Sequence, residues 1–109
     1  MKDDLAYIEH ILLSILRIKN YTKDISKNDF EKNEMIQDAV IRNIEIIGEA
    51  TKNISENLKS TYHEIPWREM AGMRDKLIHD YMGVDVDVIW RTIETDIPYL
   101  EALLKKIEQ

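Results

Sequence analysis

Met35-Ile36-Gln37-Asp38-Ala39-Val40-Ile41-Arg42-Asn43-Ile44-Glu45-Ile46-Ile47-Gly48-Glu49-Ala50 is the stretch that decides the fold class. Ile36, Val40, Ile44 and Ile47 recur three and four residues apart, and Ile54 and Leu58 extend the stripe. That spacing puts them on one side of an α-helix. Ala39, Ile46 and Ala50 make a second stripe, so this helix is expected to pack against two neighbours. Its expected span is 29–58, the longest in the chain. Gly48 weakens a helix interior by roughly 1 kcal/mol relative to alanine, and the expected return is close approach of another backbone. Arg42, Glu45 and Glu49 share a further face, which reads as an ion-paired solvent face or as support for a site, through Glu49 or Arg42.

Outward from this segment the pattern remains helical. Leu5, Ile8, Leu12 and Ile15 form an amphipathic stripe, with Asp3 or Asp4 suited to cap its start and an expected end near Ile25. Ser26 to Asp29 is a polar break with cap residues. Lys59 to Ile65 reads as a loop. Pro66 suits the first turn of a third helix carrying Trp67, Met70, Met73 and Leu77. Asp85 or Asp87 can cap a fourth, whose Val86, Trp90, Ile93, Ile97, Leu100 and Leu104 alternate four and three apart. Pro98 lies inside that pattern, so a kink is expected near Thr95 to Asp96. The expected architecture is all-α, an up-and-down four-helix bundle in a single domain over residues 1–109, forming a dimer through the surplus apolar area of the second and fourth helices.

Composition narrows the function. The 109 residues carry a net charge of −6, which counts against a general nucleic-acid binder but allows a local phosphate grip. There is no cysteine, hence no disulfide and no thiolate metal site. His10, His63 and His79 lack ligand spacing, so no metal and no cofactor are expected. No apolar run reaches membrane-span length, and Met1 to Asp4 leads into an interrupted pattern unlike a signal peptide. A cytoplasmic location without membrane contact is the expectation.

The chemistry concentrates in Arg74-Asp75-Lys76-Leu77-Ile78-His79-Asp80-Tyr81. Arginine offers a permanent charge and a rigid fork of donors, histidine titrates near neutral pH, and a phenol can be a nucleophile. Arg74 and His79 stand roughly 140° apart on an ideal helix, so convergence needs a helix end or a second subunit. Asp80 and Gly83 make an ending there plausible. Together an arginine and a histidine can cleave RNA: the 2′-hydroxyl attacks the adjacent phosphorus, histidine moves a proton and arginine stabilises the charged oxygens. Trp67 and Trp90 read as core aromatics rather than base platforms, and His63 as a solvent-facing loop residue.

Ile65-Pro66-Trp67-Arg68-Glu69-Met70-Ala71-Gly72-Met73 through Tyr81, followed by Gly83-Val84-Asp85, resembles the signature block of HepT-type toxins of the HEPN superfamily. Val40 to Ala50 resembles the family's long helix, and Val88-Ile89-Trp90 with Asp96 to Leu100 its C-terminal helix. The family pattern is arginine, a polar residue, a spacer, histidine, any residue, tyrosine; Arg74, Asp75, His79 and Tyr81 match it. The resemblance implies a metal-independent endoribonuclease, working as a homodimer whose two motifs line one cleft. Arg74 and His79 would be catalytic, with Asp75, Asp80 and Glu49 in support. It also implies a type VII-like toxin–antitoxin system. Its antitoxin, a cognate minimal nucleotidyltransferase, would transfer AMP onto Tyr81 and silence the toxin. The alternatives are a non-catalytic nucleotide- or substrate-binding subunit of a two-component nucleotidyltransferase, or a helical dimerisation module without chemistry.

Overall fold

The computed structural model describes residues 2–77 and 85–107. Among these, every regular element is helical and no strand occurs, as the periodicity requires. The elements are α1 (Lys2–Thr22), α2 (Lys27–Glu31), α3 (Glu34–Lys52), α4 (Glu56–Thr61), α5 (Trp67–Ala71), α6 (Met73–Leu77), α7 (Val86–Arg91), a π-helical segment (Thr92–Asp96) and α8 (Ile97–Lys105).

The helix expected over 29–58 is three helices, not one. Ser26 caps α2, with Ser26 Oγ accepting from Asp29 N–H at 3.0 Å and the Asp29 carboxylate accepting from Ser26 N–H in return. Asn33 then restarts the chain, its Oδ1 accepting from Ile36 N–H at 3.0 Å. At the other end Asn53 closes α3 and Ser55 opens α4 by accepting from Leu58 N–H. Apolar spacing ran through these breaks, but the side chains of Ser26, Asn33 and Ser55 each accept from a backbone donor at a helix start, and Asn53 Nδ2 donates to Glu49 C=O at the end of α3. The segment 59–65 is correspondingly part helix, since α4 reaches Thr61.

Asp4 is not a cap of its own helix. It lies in the first turn of α1, buried, and reaches across to the start of α4. Its carboxylate accepts from Ser55 N–H at 2.8 Å and from Ser55 Oγ at 2.6 Å. The Ser55 hydroxyl, then the Ser55 amide, hold the Asp4 carboxyl below its ordinary pKa. The start of α1 thus meets the end of α3, which makes the two helices antiparallel. α1 stops at Thr22 rather than Ile25, because Asp24 turns the chain in a left-handed conformation, φ 60°.

The core lies where α1, α3 and the C-terminal helices meet. Ile8, Ile11, Ile15 and Ile18 of α1 are fully buried, as are Val40, Ile44 and Ile47 of α3 and Ile89, Ile97 and Leu104 near the C-terminus. Phe30 of α2 is fully buried against Trp90, with ring centroids 5.2 Å apart. Trp67 is buried with its indole N–H donating to Tyr62 C=O at 3.1 Å. Trp67 is thus in the core and Trp90, partly buried, packs against it, so both serve packing, as expected.

Asp85 is the cap of α7, its carboxylate accepting from Val88 N–H. Pro98 leaves its mark ahead of itself: Ile97 N–H donates to Thr92 C=O, five residues back, so the helix widens by one residue into the π segment. Proline has no N–H to give to the carbonyl four residues before it, and the wider turn accommodates the ring. This is the distortion expected at Thr95 to Asp96. No helix among the described residues is long and apolar enough to cross a membrane.

Candidate active site

Gly48 is the hinge point of the site's geometry. A Cβ built there would stand 3.1 Å from the backbone oxygen of Ala71, so α5 rests directly on α3. The expected close approach at this glycine is present, and its partner is the helix that leads into Arg74. From that contact the two helices run antiparallel. Three residues back along α3 is Glu45; three residues on from Ala71 is Arg74.

Those two side chains meet. Arg74 Nε donates to Glu45 Oε2 at 2.6 Å. The other carboxylate oxygen, Oε1, lies 3.9 Å from Arg42 Nη1. Asp75 Oδ1 is 3.9 Å from Arg74 Nη1, beyond hydrogen-bond length. Among the described residues Arg74 is therefore fixed through Nε, while its Nη groups, the two-pronged end of the fork, make no hydrogen bond. That edge is the one that grips phosphate oxygens two at a time. The Arg74 side chain is half exposed, so the grip faces solvent.

The cleft around the pair has a volume of about 310 Å³ and is lined by Arg42, Glu45, Gly48, Glu49, Lys52, Ala71, Arg74 and Asp75. Three cations and three carboxylates give it a formal charge of zero, in a chain of net charge −6. Of the expected supporting residues, Glu49 lines the cleft but pairs with Lys52 at 3.5 Å, and Asp75 is largely exposed. Glu45 is the residue that touches Arg74, and the sequence reading placed it on the right face without giving it that role. Gly48 marked a contact point in the sequence, but its partner, Ala71, and with it the register that brings Glu45 to Arg74, comes from the structure.

His79, Asp80 and Tyr81 lie outside the described residues. The two ends that flank them are joined, since Asp85 N–H donates to Leu77 C=O at 3.0 Å. α6 is described as far as Leu77, and the helix end expected near His79 lies outside the described residues. His63 is exposed, beside Glu64. A more apolar cavity of about 210 Å³ lies between α5–α6 and the π segment, lined in part by Met70, Met73, Tyr99 and Leu100. It contains none of the expected site residues.

Comparison with known proteins decides the family. The family described as "Ribonuclease HepT-like" matches residues 11–107. The chain belongs to the HepT-like ribonuclease family. It is 50% identical over 103 residues to a Thermococcus cleftensis protein named "Probable ribonuclease HepT", covering 94% of each chain. It is 45% identical over 109 residues to a "Putative RNase" of Caldanaerobacter subterraneus subsp. tengcongensis, covering 100% of this chain and 97% of the relative. A third relative, from Methanocaldococcus jannaschii, is named "Gamma-glutamylcyclotransferase and putative RNase". It is 50% identical over 109 residues, 99% of this chain, and the chain spans about half of that protein, 49%. No solved structure matches. For a HepT-like chain the expected enzyme class, ribonuclease, stands. Within the family's arginine–histidine–tyrosine motif, only Arg74 and the adjacent Asp75 fall within the described residues.

Proposed function

We propose that this protein is a metal-independent endoribonuclease, the toxin of a toxin–antitoxin pair. The observation that carries the reading is the Arg74–Glu45 contact at the rim of a cleft. An arginine held through Nε by a carboxylate is oriented before substrate arrives, and its free Nη edge is suited to a phosphodiester.

In the proposed reaction the 2′-oxygen attacks the neighbouring phosphorus, its proton passing to a base. The bond from phosphorus to the 5′-oxygen breaks, and that oxygen takes a proton as it leaves. The products are a 2′,3′-cyclic phosphate and a 5′-hydroxyl. His79 moves the proton, and Arg74 stabilises charge on the non-bridging oxygens.

The reading includes a homodimer in which two motifs share one cleft, built on the four-helix up-and-down arrangement common to such bundles. Its support is apolar side chains without cover: Leu5, Leu13 and Leu16 of α1 are each close to half exposed, and Tyr99 of α8 more so. These lie on α1 and α8, and Met35 at the start of α3 is exposed as well. Tyr81 is the proposed acceptor of AMP from a partner minimal nucleotidyltransferase. The added phosphodiester beside Arg74 would compete with RNA for the same fork.

The test is to incubate the protein with single-stranded RNA and a chelator and to analyse product ends. Cyclic phosphate and 5′-hydroxyl ends are expected; cleavage abolished by chelation, or 5′-phosphate ends, would overturn the mechanism.

A further inference from the structure

Next to the Arg74 cleft is a second cavity, of about 240 Å³, between α1 and α3. Arg42, Glu45 and Glu49 line both, so the two adjoin across these side chains. The new wall is formed by Tyr7 and His10 of α1 and by Asn53. None of these three belongs to the motif around Arg74.

The chemistry of this second cavity suits a nucleoside. Tyr7 and His10 are three residues apart on one helix side and meet edge to face, with ring centroids 6.5 Å apart and planes at 65°. His10 is exposed and Tyr7 half-buried, so the pair offers ring surface to a guest. Asn53 Nδ2 donates to Glu49 C=O at 2.9 Å, leaving its Oδ1 to accept from a base. Arg42 is 72% exposed and only loosely paired. Glu45 stands between the two arginines, one oxygen toward each, and Arg42 is the cation that both cavities share.

Resting on the ribonuclease reading, we infer that this cavity holds the nucleoside flanking the scissile phosphate of a single-stranded RNA. Its base lies against Tyr7 and His10 and the next phosphate meets Arg42. Paired bases are stacked within a duplex and cannot reach such rings, which restricts the substrate to single strands or loops. Aromatic stacking accepts any base, so the site orders the strand without selecting a sequence.

The test compares a short single-stranded oligoribonucleotide with the same strand made abasic at the position flanking the cut. Parent, Tyr7→Leu, His10→Ala and Arg74→Ala proteins are assayed on both. Leucine at position 7 keeps apolar packing, and His10 is exposed, so both variants retain the fold; thermal unfolding verifies this. The ring variants are expected to lose about 5- to 100-fold in kcat/KM on the intact strand and nothing on the abasic one. Ring variants that cut both strands as the parent does, while Arg74→Ala is inactive, would overturn this inference alone. Equal losses on both strands would do the same. Arg74→Ala cutting at the parental rate would overturn the ribonuclease site and this inference with it.

Discussion

Arg74 and Glu45 are 29 positions apart in the chain, and the arginine Nε donates to the carboxylate over 2.6 Å. The contact ties α6 to α3 at the mouth of the cleft, and it leaves the Nη edge of the guanidinium to bind. In the proposed mechanism Glu45 is a positioning residue that acts through Arg74.

Glu45→Ala should lower RNA cleavage by about ten- to a hundredfold, because a misplaced fork loses its in-line hold on the phosphate. Glu45→Gln should be milder, since an amide oxygen still accepts from Nε. Steady-state kinetics of the two variants, with thermal unfolding alongside, check this. A Gln variant as impaired as Ala would contradict the orienting role.

Gly48→Ala sets two effects against each other. Alanine gains about 1 kcal/mol in helix propensity. Its methyl meets a backbone oxygen at 3.1 Å, which no side-chain rotation relieves, and such overpacking costs about 1–3 kcal/mol. A net loss of about 1 kcal/mol in denaturant unfolding is expected. Cleavage should fall further than stability, because pushing α5 off α3 separates Arg74 from Glu45. An unchanged midpoint with unchanged activity would show that the approach at Gly48 is unimportant.

The fold class was legible because period-3.6 spacing of Ile, Leu and Val survives any reading frame of caps. Element boundaries were not. Asn33, Asn53 and Ser55 look tolerable inside a helix; Asn33 and Asn53 bond locally at the helix ends, and Ser55 is held by a tertiary contact. Ser55 is the clear instance, since its partner, Asp4, is 51 positions away. In the site, Arg74 was visible as a cation near a histidine. Its anchor was not, because choosing Glu45 over Glu49 depends on the register set by Gly48 against Ala71. Pro98, by contrast, announced its own distortion, since the missing N–H is a local fact.

The Asp4 carboxylate, held below its ordinary pKa by Ser55, makes stability depend on pH. A depressed folded pKa contributes stability in full above the unfolded value, about 3.9. That contribution fades as pH falls through the folded value. Asp4→Asn should therefore cost about 1.5–3 kcal/mol at pH 7, the range for hydrogen bonds to a charged group. The difference from the parent should shrink steadily below about pH 4. Urea unfolding at both pH values measures it, and a constant difference would exclude a charged Asp4 as the cause.

Incubation with ATP, Mg²⁺ and a partner minimal nucleotidyltransferase should add AMP to Tyr81 and abolish cleavage. Mass spectrometry locates the adduct. Modification of another residue, or silencing of Tyr81→Phe as complete as that of the parent, would rule out this switch.

The most direct measurement compares cleavage of one single-stranded RNA, with chelator present, by the parent, Arg74→Ala and His79→Ala proteins. Each substitution removes a group that acts mainly in the transition state, so each should reduce kcat about a hundredfold or more with the fold intact. Parental rates in both variants would contradict the assignment of Arg74 and His79 as the catalytic pair.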